Sequence, residues 1–188
     1  MILPIVAYGA PVLRKMCADI DRNYPNVQKL IVDMFDTMKK AKGVGLAAPQ
    51  VGKSIRLFVV DGNPFTSDGE HPELKDFRKV FINAKISEEK GDEWIYNEGC
   101  LSIPGVREDV KRHPSIRINY LNENFVEYEE TFMGISARII QHEYDHIDGK
   151  LFIDRINTLR RTLLKSRLND IAKGNVEVEY EMNFPLKK

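Results

Sequence analysis

Apolar residues recur along this chain with two different periods, and the switches between them divide it into elements. Val27, Leu30, Ile31, Met34, Phe35 and Met38 fall three and four residues apart, which puts one apolar stripe along a helix. Pro25 is placed to open that helix and Gly43 to close it. The segment GVGLAAPQVGKS that follows is turn-rich, and IRLFVVD after it is an apolar run of strand length. From Asp61 to Lys79 the chain is crowded with Gly, Pro, Asp and Ser, and a surface loop is expected there. Alternation then takes over in KVFINAKI, DEWIYNEG, SIRINYL and FVEYEETF, the last two joined through Asn122, Glu123 and Asn124 as a hairpin.

Helical spacing returns in ISARIIQHEYDHIDG, with Ser136 as its cap and Gly149 as its stop. A further helix is expected from Thr158 to Lys173, with Leu164, Leu168 and Ile171 on its apolar side, and NVEVEYEM alternates as a final strand. No repeat, low-complexity tract or linker interrupts the chain. Residues 1–188 therefore read as one domain of the mixed α+β class. It consists of antiparallel strands packed around the central histidine-bearing helix, with an N-terminal helix and a C-terminal helix.

Composition narrows the chemistry. Among 188 residues, 28 Lys and Arg offset 28 Asp and Glu, so no long-range attraction toward nucleic acid or an anionic membrane is expected. A chain of this length buries enough surface to fold without a structural metal, which leaves any metal free for catalysis. The opening MILPIVAYGAPVLRKM lacks a basic start and a small-residue cleavage site, and no apolar run approaches the roughly 20 residues of a membrane span. The expected location is the cytoplasm, where Cys17 and Cys100 stay reduced.

The chemistry concentrates in IIQHEYDHIDG. His142 and His146 stand four apart, so their imidazoles project from one helix face and converge on one ion, while Glu143 between them reaches the same place without ligating. Ile135 and Ile139 share the stripe and bury that face. The competing reading is a buried amphipathic helix whose histidines only satisfy hydrogen bonds; two at this spacing around a glutamate favour metal. A catalytic site of this kind takes a third ligand. The position six residues after His146, where the metzincin proteases have a histidine, is Phe152. His71 and His113 sit in polar surroundings and are expected to face solvent. Asp170 and Glu177 are downstream carboxylates with nothing to single them out. Cys100, in NEGCLSIPG, is held at a bend by Gly99 on one side and by Pro104 and Gly105, which end the strand, on the other; alone it also reads as a small buried hydrophobe.

Three segments together decide among these. GVGLAAPQ (43–50), EGCLS (98–102) and QHEYDH (141–146) resemble, in order and separation, the three motifs of the peptide deformylases. The resemblance implies that Cys100, His142 and His146 hold one divalent metal, Fe2+ in cells and Zn2+, Ni2+ or Co2+ in some preparations. It implies removal of the formyl group from N-formylmethionyl nascent polypeptides, with Glu143 as general base and acid. The backbone N–H of Leu101 and the amide of Gln50 are then donors to the developing oxyanion. The methionine pocket is expected to be walled by Val44, Tyr96, Leu101, Ile135 and Ile139, with Tyr96 standing where an aliphatic residue is expected, and Arg107 lies near the substrate backbone. Gly43, Gly45, Ala47 and Ala48 let an extended peptide pair with the main chain. A basic C-terminal helix carrying Arg160, Arg161, Lys165 and Arg167 implies transient ribosome contact, against which stands a plain solvated face. The rival activity is a peptidase with the same two histidines and a carboxylate ligand; the non-enzymatic rival makes the metal structural.

Overall fold

The structure, a computed structural model, describes residues 1–67 and 69–187. In chain order the main elements are β1 (Ile5–Val6), α1 (Val27–Lys40), β2 (Gly45–Ala47), β3 (Leu57–Asp61), β4 (Arg78–Lys90), β5 (Trp94–Cys100) and β6 (Ile103–Arg112). They are followed by β7 (Ser115–Leu121), β8 (Glu127–Met133), α2 (Gly134–Ile147), α3 (Thr158–Leu163), α4 (Lys165–Lys173) and β9 (Met182–Asn183). Strands β2-β3-β4-β7-β8 form an antiparallel sheet with β2 at one edge, β5 and β6 form a separate antiparallel pair, and β1 pairs with β9 in parallel. The arrangement is the expected mixture of helices and antiparallel sheet.

The unbroken apolar run LFVV has a simple cause: both faces of β3 are covered. Leu57 and Val59 pack with Ile31, Met34 and Met38 of α1, whereas Phe58 and Val60 pack with Ile135, Ile139 and Ile140 of α2. Helix α2 is thereby seated on the sheet with its other side turned toward the β5–β6 hairpin. At the end of α1, Lys42 and not Gly43 takes the left-handed position (φ 57°). The Gly43 N–H donates to the Met38 carbonyl at 2.9 Å and the Lys42 N–H to that of Lys39 at 3.1 Å, closing the helix.

Several boundaries differ from the sequence pattern. The turn-rich GVGLAAPQ carries strand β2, whose Gly45–Ala47 pair antiparallel with Val60, Val59 and Phe58 of β3, and opens the short 3-10 turn Ala48–Val51. Pro104 and Gly105 do not end a strand; they lie near the start of β6, where a register shift between Gly99 and Cys100 leaves Pro104 without a ladder bond to make. Residues 61–79 contain 3-10 turns at Asn63–Thr66 and Pro72–Leu74, and buried Leu74 anchors the segment. Ser136 is not the cap of α2. Met133 holds that position, and the Ser136 hydroxyl donates to its carbonyl at 2.8 Å. The C-terminal helix breaks at Leu164, just after the Thr162 hydroxyl takes up the Thr158 carbonyl. In NVEVEYEM only Met182 belongs to a strand. Val176, Val178 and Tyr180 are half-buried in alternation with exposed glutamates, yet this backbone finds no ladder partner.

Candidate metal centre

Helix α2 sets His142 and His146 one turn apart, ring centroids 5.2 Å from each other. Cys100 ends β5 just beyond the register shift, which brings its Sγ to 3.3 Å from His146 Nε2. One ligand atom from each of Cys100, His142 and His146 lies within 4.8 Å of the other two; among the described residues this is the group of His, Cys, Asp or Glu donors that could hold an ion. His71 pairs with Glu73 (3.1 Å) and His113 with the Gly91 carbonyl (2.7 Å), both away from this group. Asp170 and Glu177 are no part of it.

The electrostatics suit a cation. Glu98 Oε2 sits 2.9 Å from His142 Nδ1, which orients the ring and leaves its other nitrogen for the cluster. Burial acts to lower the basicity of His142, but Cys100 and Glu98 override it and favour positive charge there. His146 goes the other way, held neutral by burial and by repulsion from His142, and neutral imidazole is the ligating form. A sulfur and an imidazole nitrogen directed at one another at 3.3 Å need a proton or a cation between them. One sulfur and two imidazole nitrogens are the donor set of zinc-type and iron sites, so the residues present fit the group.

Glu143 is buried, and burial pushes its carboxyl up to about 7 against the pull of His142 and Arg112. Its Oε2 has no hydrogen-bond partner among the described residues. It lines a cleft of about 940 Å³ together with Cys100 and His142. Val44, Gly45, Tyr96, Leu101, Arg107, Ile135 and Ile139 line the same cleft, as does Gln50. Gln50 Oε1 accepts the Ala47 N–H at 2.8 Å, and its Nε2 reaches Cys100 Sγ at 3.4 Å, an ordinary length to sulfur, and Ser102 Oγ at a long 3.3 Å. Arg107 is held on the rim by Asn97, through Nε to Oδ1 at 2.8 Å and Nη2 to the carbonyl at 2.6 Å.

Residues behind the cluster escaped the sequence reading. Arg112 lies fully buried and forks onto Glu98 (2.7 and 2.9 Å) while reaching Asp145 at 2.7 Å. Arg138 adds a contact to Glu98 at 3.0 Å, and Arg155 grips both oxygens of Asp145 at 2.6 Å. Burial works against ionising Glu98, but His142 and Arg112 hold it well below the usual carboxylate range. A signal was present. In β6 the inward positions Val106 and Val110 fix a period of two that also turns Glu108 and Arg112 inward, and charges on the apolar side of a strand mark a buried network.

Three donors that could hold one cation converge at a cleft bordered by the edge strand β2, an arrangement that belongs to the class of metal-dependent hydrolases. The polypeptide deformylase family matches residues 2–162. A peptide deformylase of Christiangramia forsetii is 55% identical over 193 aligned positions, covering 100% of this chain and 98% of that protein. One of Cytophaga hutchinsonii is 51% identical over 188 positions and 100% of both. A crystal structure of a peptide deformylase from Legionella pneumophila superposes with a TM-score of 0.79 at 36% identity, over 93% of this chain and 98% of that one. The Plasmodium falciparum peptide deformylase in complex with an inhibitor gives 0.77 at 32% identity, over 90% and 99%. The chain belongs to the polypeptide deformylase family. It is a metal-dependent enzyme that removes the N-terminal formyl group from newly made peptides, releasing formate.

Proposed function

We propose that Cys100, His142 and His146 hold one divalent cation, Fe2+ in the cell, and that Glu143 is the general base and acid of deformylation. When bound, the metal supplies a Lewis acid for the formyl oxygen and makes water acidic enough to ionise near neutral pH. Glu143 takes the proton of the attacking water on its buried carboxylate and delivers it to the departing amine. As charge develops on the formyl oxygen, the Leu101 N–H and the Gln50 amide donate to it; the long contact of Gln50 to Ser102 is weak enough to give way. Val44, Tyr96, Ile135 and Ile139 receive the methionine side chain, Arg107 faces the substrate backbone, and the peptide adds as a strand along the edge strand β2 at Gly45. The whole chain, 1–188, acts as a single catalytic domain in the cytoplasm. The basic residues of α3 and α4 form a solvated face in which Arg160 pairs with Glu108 and Arg161 with Asp154, and transient ribosome contact is the alternative use of that face. No helix among the described residues is long and apolar enough to cross a membrane.

The observation that carries this reading is the convergence of three donors within 4.8 Å beside a buried carboxylate whose Oε2 is unsatisfied, a cost that a bound ligand removes. The test is Glu143→Gln, assayed by formate release from formyl-Met-Ala beside acetyl-Met-Ala and an unblocked peptide, with metal analysis on the same samples. The expected result is full metal content with formate release down by about 10³-fold or more. Retained turnover would remove Glu143 from the chemistry, and turnover of the unblocked peptide would favour the peptidase reading.

A further inference from the structure

The turn Cys100–Ser102 joins β5 to β6 across a register shift, with Gly99 opposite Arg107 and Cys100 opposite Ile103, so Leu101 has no partner in the β5–β6 register. What fixes this turn must come from elsewhere. The Tyr8 N–H donates to the Ser102 carbonyl at 2.8 Å, and Gln50 reaches Ser102 Oγ and Cys100 Sγ. The Leu101 side chain lies where a Cβ on Gly43 would come within 2.7 Å of it. The fourth hold is the hydroxyl of Tyr180, which donates to the Leu101 carbonyl at 2.7 Å.

Tyr180 is itself anchored on both sides. Before it, Val176 packs against the core around Phe152 and Ile171; after it, the Glu181 carbonyl accepts the Ile5 N–H at 2.9 Å and Met182 continues into the pairing with β1, whereas the Lys42–Glu179 pair is exposed at both ends and adds little. The segment 177–180 lines the same cleft as Cys100 and Glu143. It also lies beyond residues 2–162, the part of the chain matched by the family. A donor so braced is set in place before any substrate arrives.

We propose that Tyr180 is a positioning residue for deformylation: through the Leu101 carbonyl it holds residue 101 in the conformation that presents its N–H to the formyl oxygen. This rests on the donor role proposed above for Leu101. Tyr180→Phe keeps the half-buried ring and removes only the hydroxyl. The zinc-loaded variant is compared with the zinc-loaded parent in four respects: kcat and KM for a formyl-Met peptide, metal content, melting temperature, and the response of the Leu101 amide resonance to added formate. The expected result is kcat per bound metal lower by about fivefold to tenfold, with KM and metal content unchanged and a weakened response of the Leu101 amide to formate. An unchanged kcat per bound metal, or a fall that only tracks lost metal or a lowered melting temperature, overturns the proposal. If formate moves the Leu101 amide equally in both proteins, Tyr180 alone loses its role. If formate leaves that amide unmoved even in the parent, the donor role of Leu101 fails and the proposal goes with it.

Discussion

The carboxylate of Glu143 occupies the space in which a side chain on Gly45 would lie: a Cβ there would come within 2.7 Å of its Cγ and Cδ and overlap one carboxyl oxygen. The Gly45 backbone is ordinary strand, so alanine meets no conformational barrier, only this clash. Gly45→Ala should therefore displace the Glu143 carboxylate, the proposed general base, and leave the fold in place. We expect kcat for formyl-Met-Ala to fall by about 100-fold, with a stability loss of about 1–3 kcal/mol from overpacking. Steady-state kinetics and urea unfolding on the same preparation check it; wild-type turnover would mean that the carboxylate works from another position.

Glu98 is the joint between the cluster and the buried charges behind it. It accepts from Arg112 twice, from Arg138 once, and is bonded to His142 Nδ1. Glu98→Gln keeps the shape but removes the anion that two buried guanidiniums share. The expected cost is about 3–5 kcal/mol of folding stability and about 10–100-fold in metal affinity, because the His142 ring loses its orienting partner. Unfolding midpoints and competition against a chelator measure the two separately. A variant with reduced stability but unaltered metal affinity would show that His142 is oriented by its helix alone.

The reach of the sequence can be judged element by element. Helices α1 and α2 were legible because their buried stripes are long and periodic, and β3 because its apolar run is short and uninterrupted. His142, Glu143 and His146 were legible because one helix turn carries all three. Cys100 was not, since its approach to His146, 46 residues further along the chain, depends on the register shift between Gly99 and Cys100, and only the likeness of EGCLS to a known motif supplied it. Strand β6 was hidden by Pro104 and Gly105, whose breaking effect is absorbed in the irregular start of the strand. The tail misled in the opposite sense: Val176, Val178 and Tyr180 alternate as a strand does, yet what orders the segment is the packing of Val176 and Tyr180 against the core and the Tyr180 hydroxyl on the Leu101 carbonyl.

On the α2-facing side of the sheet, where β7 pairs with β8, Glu130 accepts the Tyr120 hydroxyl and the Lys79 ammonium, the latter at 2.9 Å. Burial pushes the Glu130 carboxyl up, but the contacts with Tyr120 and Lys79 outweigh it and hold it below the usual range. A carboxyl with a depressed folded-state pKa contributes stability that is complete above its unfolded value of about 4.3 and is lost as pH falls through the folded value. Tyr120→Phe removes one donor and returns Glu130 toward the ordinary range. The variant should be less stable than the parent by about 1 kcal/mol at neutral pH. The gap should close progressively in urea titrations run below about pH 4. A gap independent of pH would assign the loss to packing against Phe81 and Tyr128 instead.

The proposed ligand set also fixes how the enzyme should age. Cys100 is only half-buried and lines the open cleft, so its sulfur is within reach of dissolved oxidants. A thiolate bound to a redox-active iron(II) centre open to solvent is exposed to oxygen chemistry at both atoms, whereas nickel(II) in the same donors is far less readily oxidised. Aerobic incubation should therefore inactivate the iron-loaded enzyme much faster than the nickel-loaded one, and exclusion of oxygen should remove the difference. Peptide mass spectrometry should find the added oxygen on Cys100 and leave buried Cys17 unmodified. Equal lifetimes in air, or oxidation confined to Cys17, would count against iron held by this sulfur.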